Sequence, residues 1–91
     1  MMQTTLAAVQ PDTEKALEIQ NWMIAYLVKQ SGIDYAEINL DKEFIDYGFD
    51  SAAALRMVGD LEDYLERKLS PSLPYEYPTV AQLSRALAVG R

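Results

Sequence analysis

The sequence predicts an all-α fold, a small antiparallel bundle of three main helices and one short helix. Three segments repeat their apolar residues at the helical period. No segment alternates apolar and polar residues over the length of a half-buried strand. With 91 residues, the chain is long enough for one domain with one core and too short for a second lobe. We therefore expect one compact unit with a long connection between its first two helices.

The first helix is predicted to follow a short N-terminal segment that has no apolar period. We expect residues 1–11 to form a flexible tail and residues 12–91 to form the folded domain. Asp12 or Thr13 would cap the helix, and Gly32 would end it. Its apolar arc is wide, so more than one neighbouring segment must pack against the helix. We expect Trp22 to be a core anchor. The arc contains Leu17, Ile19, Trp22, Met23, Ile24, Tyr26, Leu27 and Val28.

The connection from Gly32 to Gly48 has no period, but it contains apolar residues that would pin it across the helices. Within it, a short helical turn is predicted between Asp41 and Tyr47. The pinning residues are Ile33, Ile38, Leu40, Phe44 and Ile45.

The second helix is predicted to begin at Asp50 or Ser51 and to end near Leu69. Three prolines follow it and leave room for at most one helical turn, around Leu73 to Tyr77. The apolar face of the second helix would contain Ala54, Met57, Val58, Leu61, Tyr64 and Leu65, opposite Arg56, Asp60, Asp63 and Arg67.

Thr79 is predicted to cap the last helix, which Gly90 would end. In that helix Val80, Leu83 and Leu87 repeat at the spacing of one helix face.

The composition disfavours several classes of function. A formal net charge of -6 disfavours binding to nucleic acid or to an anionic membrane surface. The absence of cysteine and histidine excludes disulfides, the usual zinc ligand sets and thiolate catalysis. No segment has the features of a signal peptide or a membrane span. These absences exclude most enzyme mechanisms and favour a cytoplasmic location. We also expect a monomer that is not an enzyme and binds no metal.

Ser51 follows a Gly-Phe-Asp sequence at the point where the connection gives way to the second helix. The simplest interpretation is helix-start chemistry, with Asp50 as N-cap and Ser51 in the first turn. A nucleophilic serine is disfavoured because the chain has no histidine base and no Gly-x-Ser-x-Gly elbow. A third interpretation is that Ser51 is itself modified. A phosphate ester there would face unbonded backbone N–H groups and the positive end of the helix dipole.

Two motifs, GFDS ending at Ser51 and YPT ending at Thr79, resemble the acyl carrier proteins of the polyketide-synthase kind. The resemblance covers roughly Thr13 to Leu87 and includes the helix pattern between the motifs. It implies that a phosphopantetheinyl transferase attaches 4'-phosphopantetheine from coenzyme A to Ser51, with assistance from Asp50. The implied function is to shuttle thioester-bound acyl intermediates between enzymes of polyketide, lipopeptide or related fatty-acyl biosynthesis.

The resemblance also implies that partner enzymes dock on the face of the second helix that contains Ser51. Expected partners are the transferase, an acyl-loading enzyme such as a fatty acyl-adenylate ligase, and a ketosynthase or other pathway enzyme. The family usually has leucine directly after the serine, whereas this chain has Ala52. The docking face would comprise Ala52, Leu55, Arg56, Gly59, Glu62, Asp63 and Glu66.

Purely structural interpretations remain open for the same residues. The acids could simply solvate an exposed helix face, and Gly59 could be incidental. The alternative function is a non-catalytic acidic helical interaction module in which Ser51 takes part only in helix capping.

Overall fold

The computed structural model of the protein describes residues 11–89. The predicted all-α bundle with a long first connection is confirmed. Two short 3-10 helices, Tyr35–Glu37 and Phe44–Tyr47, lie in that connection, and the described residues contain no strand beyond an isolated bridge between Glu43 and Thr79. Residues 11–89 contain four α-helices, which are α1 at Pro11–Ser31, α2 at Ser51–Leu65, α3 at Leu73–Glu76 and α4 at Val80–Val89.

One hydrophobic core lies between the helices. On α1, Ile19, Met23 and Leu27 are fully buried at the four-residue spacing of one helix face. The predicted face of α4 is also confirmed, since Val80, Leu83 and Leu87 are all buried. The remaining members of this core are Ile24, Phe44, Tyr47, Phe49, Met57 and Leu61.

The start of α1 differs from the prediction, whereas its end agrees with it. The helix begins at Pro11, so Asp12 and Thr13 lie inside its first turn rather than at its N-cap. Proline is favourable at the first helical position because a backbone N–H at that position has no intrahelical acceptor, so nothing is lost when proline lacks it. The helix ends before Gly32, whose φ is +70°. The rest of the predicted tail, residues 1–10, and the predicted stop at Gly90 lie outside the described residues.

Two predictions about the apolar arc of α1 were wrong. Leu17 is 50% exposed, because it lies in an open groove whose opposite wall on α4 includes the small side chains of Ala81 and Ala88. Trp22 is half-buried at the edge of the core rather than inside it. Its ring stacks between those of Tyr26 and Tyr64, at centroid distances of 5.0 and 5.5 Å.

The second helix ends at Leu65, four residues earlier than predicted. Glu66 adopts a left-handed conformation with φ 57° and ψ 45°, and its backbone N–H donates to the carbonyl of Glu62. The carboxylate of Glu62 then accepts the backbone N–H of Leu69 at 2.8 Å. The chain therefore turns back over the end of α2, where the Glu62 side chain holds it.

Most of the predicted apolar face of α2 is buried, but Tyr64 is 39% exposed. Its hydroxyl donates to the carboxylate of Glu18 on α1, which keeps the polar end of the ring at the surface. The confirmed members of the face are Ala54, Met57, Val58 and Leu61, with Leu65 partly buried against the core.

The connection between α1 and α2 is pinned largely as predicted. Phe44 is buried, and Ile33, Ile38 and Leu40 pack against the core, but Ile45 is 68% exposed and that prediction was wrong. The hydroxyl of Tyr47 accepts the backbone N–H of Asn39 and donates to its carbonyl, both at 2.7 Å. These two hydrogen bonds tie the middle of the connection to its last 3-10 helix, just before α2 begins.

Beyond α2, the predicted single turn and the predicted cap are both confirmed. The turn is α3, and Thr79 Oγ1 accepts the backbone N–H of Gln82 at 3.1 Å. None of the described helices is long and apolar enough to cross a membrane.

Candidate functional site

Two consecutive residues, Gly48 and Phe49, direct the chain into the start of α2. Gly48 ends the preceding 3-10 helix with a φ of +82°, a conformation that residues with a Cβ rarely adopt. Phe49 is buried, and its ring contacts those of Tyr26 and Phe44 at centroid distances of 6.2 and 6.5 Å. The chain is therefore turned by the glycine and anchored in the core by the phenylalanine, immediately before the helix begins.

Asp50 caps α2, as the sequence predicts. Its backbone is extended, and its Oδ1 accepts the backbone N–H of Ala53 at 2.9 Å. Ser51 is the first helical residue and is exposed. Its Oγ accepts a hydrogen bond from the Tyr75 hydroxyl at 3.0 Å rather than capping a backbone amide. The capping role thus belongs to Asp50, and the hydroxyl of Ser51 faces the surface.

An apolar cleft of about 380 Å³ lies beside Ser51. It lies between the connection, the start of α2 and the α3 segment. Its rim includes Ile45 and Tyr75, which are 68% and 62% exposed. The exposure of Ile45, which the sequence analysis missed, places an apolar side chain at the opening of this cleft. The cleft is lined by Glu43, Phe44, Ile45, Phe49, Asp50, Ser51, Ala54, Pro74, Tyr75 and Pro78.

The charged side chains that line the cleft, within the described part of the chain, are the carboxylates of Glu43 and Asp50. The chain has no histidine or cysteine to act as a base or nucleophile beside Ser51. No group of acidic residues among residues 11–89 is arranged to hold a metal ion. The arrangement leaves the Ser51 hydroxyl exposed, and its hydrogen-bond partner in the described structure is the Tyr75 hydroxyl rather than a carboxylate.

The predicted docking residues fall into two groups. Six of them are exposed along α2 and at its end, and one of these, Leu55, is an apolar side chain that is 52% exposed. Glu62 is only half-exposed, and its carboxylate already accepts the N–H of Leu69. The charge of this face therefore rests on the more exposed side chains. The exposed group is Ala52, Leu55, Arg56, Gly59, Asp63 and Glu66.

Tyr75 is the site residue that the sequence analysis missed. It lies 24 positions after Ser51 and reaches it only because α3 folds back beside the start of α2. No local pattern predicts that approach. The Pro-Tyr-Glu-Tyr-Pro run indicates a turn, but it does not indicate which residue the tyrosine contacts.

Residues 21–87 match the family model described as "Phosphopantetheine attachment site". Among curated proteins, the non-reducing polyketide synthase cla3 of Cladosporium cladosporioides is 34% identical over 83 residues. That alignment covers 88% of this chain and 4% of the synthase. The chain thus spans only a small part of the length of this relative.

Two solved structures are similar over most of their length. One is Asl1650, an acyl carrier protein from Anabaena sp. PCC 7120 with a variant phosphopantetheinylation-site sequence, at 35% identity and a TM-score of 0.76. That similarity covers 88% of this chain and 89% of the other. The other is a free-standing peptidyl carrier protein from an Acinetobacter baumannii secondary metabolic pathway, at 32% identity and a TM-score of 0.74, covering 80% of this chain and 91% of that one.

Proposed function

The chain belongs to the phosphopantetheine-attachment family, as a carrier domain of the polyketide synthase and nonribosomal peptide synthetase type, and on this basis we propose that Ser51 is its attachment residue. Domains of this family carry covalently attached 4'-phosphopantetheine. The observation that supports the assignment most strongly is the exposure of Ser51 at the first residue of α2, with the helix cap supplied by Asp50.

The exposure of Ser51 and its place at a helix start fit a phosphate ester, whereas the carboxylates of Glu43 and Asp50 in the adjoining cleft do not attract one. The hydroxyl is exposed, so a bulky group can be added without displacing a core side chain. The first turn of a helix has backbone N–H groups without intrahelical partners, and the helix dipole favours negative charge there. The apolar cleft beside Ser51 offers a surface along which an extended group can lie.

The proposed modification leaves its chemistry to another protein. A bond forms between Ser51 Oγ and the phosphorus of the pantetheine phosphate of coenzyme A, and the bond from that phosphorus to the bridging diphosphate oxygen breaks. Adenosine 3',5'-diphosphate leaves with the bonding electron pair, and the serine proton passes to a base. We assign the base to a phosphopantetheinyl transferase, because the carboxylate adjacent in sequence, that of Asp50, is engaged as the cap of α2 and the hydrogen bond of Ser51 Oγ is to Tyr75.

Asp50 is the second residue of the proposed attachment site. One of its carboxylate oxygens caps α2, and the side chain is exposed immediately before Ser51. A carboxylate in this place can engage the magnesium ion of the transferase while it fixes the backbone that presents the serine. We propose that Asp50 assists modification in both ways.

The attached group supplies a terminal thiol that holds acyl groups as thioesters, which the chain, without cysteine, cannot supply from its own side chains. The proposed function is to carry such intermediates between enzymes of polyketide, lipopeptide or related fatty-acyl biosynthesis. Proposed partners are the transferase, an acyl-loading enzyme such as a fatty acyl-adenylate ligase, and a ketosynthase or another enzyme of the pathway.

We propose that these enzymes dock on the exposed face of α2 beside Ser51. Leu55 offers apolar contact area, and Asp63 and Glu66 offer negative charge to a basic partner surface. Complementary charge of this kind accelerates encounter and sets orientation, and its effect weakens with salt.

The test is enzymatic modification of the purified apo protein. Wild type, Ser51→Ala and Ser70→Ala are each incubated with coenzyme A, magnesium and a broad-specificity phosphopantetheinyl transferase, and their intact masses are then measured. Ser70 is a matched control because it is another exposed serine. The proposal predicts that one phosphopantetheinyl group is added to wild type and to Ser70→Ala, and none to Ser51→Ala. A folded wild type that gains no mass would refute it.

A further inference from the structure

A hydrogen bond joins α3 to the first residue of α2. The hydroxyl of Tyr75 donates to Ser51 Oγ at 3.0 Å. Tyr75 follows Pro74, which is buried and lines the same cleft. Tyr75 itself is 62% exposed, so its ring stands at the rim of the cleft rather than inside the core. The hydrogen bond thus joins an exposed tyrosine of α3 to the proposed attachment residue.

We propose that Tyr75 is a positioning residue for the attachment of phosphopantetheine at Ser51: it orients the serine before modification and donates to the phosphodiester afterwards. This inference rests on the proposed function of Ser51, and it adds a residue from a different helix to that site.

The cleft beside Ser51 has few side-chain hydrogen-bond donors. Of the side chains that line the cleft in the described structure, only those of Ser51 and Tyr75 carry a donor. The charged members, Glu43 and Asp50, are carboxylates that accept hydrogen bonds and repel a phosphate. When the oxygen of Ser51 becomes part of an ester, its own proton is lost. Tyr75 is then the remaining side-chain donor at the cleft.

In the unmodified protein, the hydrogen bond from Tyr75 restricts the Ser51 side chain. A serine side chain has three staggered rotamers, and a donor fixed on its Oγ favours the rotamer that points to that donor. Because Tyr75 donates and Ser51 accepts, the proton of the serine hydroxyl stays available to the base of the transferase. Tyr75 therefore limits the rotation of the nucleophilic oxygen without occupying the proton that must leave.

After modification, Ser51 offers Tyr75 a different set of acceptors. An ester oxygen is a weaker acceptor than a hydroxyl oxygen, whereas the non-bridging phosphate oxygens are charged and lie one bond beyond phosphorus. Hydrogen bonds to charged acceptors are roughly twice as strong as those between neutral groups. The hydroxyl of Tyr75, already within hydrogen-bond distance of Oγ, has a stronger acceptor within reach once the phosphate is attached.

The first measurement is the steady-state kinetics of modification for wild type, Tyr75→Phe and Tyr35→Phe. Tyr35 is a matched control because it is 63% exposed, against 62% for Tyr75. Without the Tyr75 hydroxyl, the serine side chain should distribute over three staggered rotamers instead of favouring one. The kcat of Tyr75→Phe should therefore fall by about three-fold. Its KM for the carrier stays close to that of wild type, because the docking face on α2 is unchanged. Tyr35→Phe matches wild type in both constants.

The second measurement is the ³¹P chemical shift of the phosphodiester in the three modified proteins, compared with the same proteins unfolded in urea. We expect the shift of folded Tyr75→Phe to move toward the unfolded value, while wild type and Tyr35→Phe stay together. Thermal melting of each apo protein checks that the substitutions leave the fold intact.

The outcomes separate this inference from the proposed function. If all three proteins gain the group while Tyr75→Phe equals wild type in kcat and in ³¹P shift, the role of Tyr75 is refuted and Ser51 stands as the attachment residue. If folded wild type gains no group, the attachment function fails, and the role of Tyr75 fails with it.

Discussion

The Asp50 carboxylate accepts the backbone N–H of Ala53 at 2.9 Å, directly beside the exposed hydroxyl of Ser51. This contact separates two roles that adjacent polar residues at a helix start could share. Asp50 caps the N-terminus of α2, and the side chain of Ser51 stays exposed at the first helical position. The geometry is therefore compatible with both the helix cap at Asp50 and the proposed attachment at Ser51.

The cap and the charge of Asp50 can be tested with two substitutions. Asp50→Ala loses the cap, and its free energy of unfolding falls by about 1 kcal/mol. Asp50→Asn keeps a capping oxygen and should melt close to wild type. If the negative charge also assists modification, Asp50→Asn is modified about ten-fold more slowly, since contacts to a charged group contribute about 1.5 kcal/mol or more. Thermal melts and modification kinetics give both values. Wild-type kinetics in Asp50→Asn would limit the residue to capping.

The docking face is best tested at Asp63 and Glu66, because Glu62 is engaged with the backbone of Leu69. Changing both acids to lysine should slow modification by about ten-fold at low salt, within the range that electrostatic steering spans. The salt dependence of the rate should also flatten. A charge-matched control changes the exposed residues Glu14 and Glu37 to lysine and should have a smaller effect.

Equal rates for the two double variants at low salt would show that net charge, rather than this face, controls the encounter. Circular dichroism of both variants establishes that the helices are retained.

Tyr26 connects α1 to α2 through a hydrogen bond to Asp60 at 2.8 Å. Burial, with a further contribution from that hydrogen bond, raises the pKa of Tyr26 from 10.0 to about 12. The folded chain thus holds this proton more tightly than the unfolded chain does. The stability that this difference contributes is complete below pH 10 and is lost as the pH rises from about 10 to about 12.

A titration of the Tyr26 ring by NMR should give a midpoint near 12 in wild type and a lower one in Asp60→Asn. Because Asp60→Asn replaces a charged acceptor with a neutral one that can still accept the Tyr26 hydroxyl, its free energy of unfolding should fall by about 1 kcal/mol or less at neutral pH. An unchanged midpoint in Asp60→Asn would mean that the contact is not maintained in solution.

Gly59 lies in the interior of α2, where a Cβ would meet no atom within 4 Å. Gly59→Ala should therefore raise the free energy of unfolding by about 0.5 to 1 kcal/mol, from helix propensity alone. The measurement is urea unfolding at constant m-value. If the variant is more stable but is modified more slowly, Gly59 gives a partner close approach to the helix; if its modification rate is unchanged, the glycine is incidental to docking.

Local chemistry made much of this fold predictable. Asp50 and Thr79 cap their helices as expected, since the partner of each is only three residues away. Gly32 follows the last residue of α1 because only a residue that tolerates positive φ can turn the chain there. The apolar face of α4 was predicted correctly because its buried apolar residues all lie on one face of a short helix.

The errors came from contacts that only the tertiary fold creates. The end of α2 is decided by the Glu62 side chain reaching Leu69, which no helical period reveals. Ile45 resembles a pinning residue in sequence but stands at the rim of the cleft. For the same reason Tyr75 could not be predicted as a site residue, because α3 must first pack beside Ser51.

The measurement that tests the central claim most directly is fragmentation mass spectrometry of the enzymatically modified wild-type protein. The phosphopantetheinyl group should be located on Ser51 and on no other residue. A group located on Ser70 or Ser72, or a folded chain that gains no group at all, would contradict the assignment of Ser51 as the residue that this carrier domain presents.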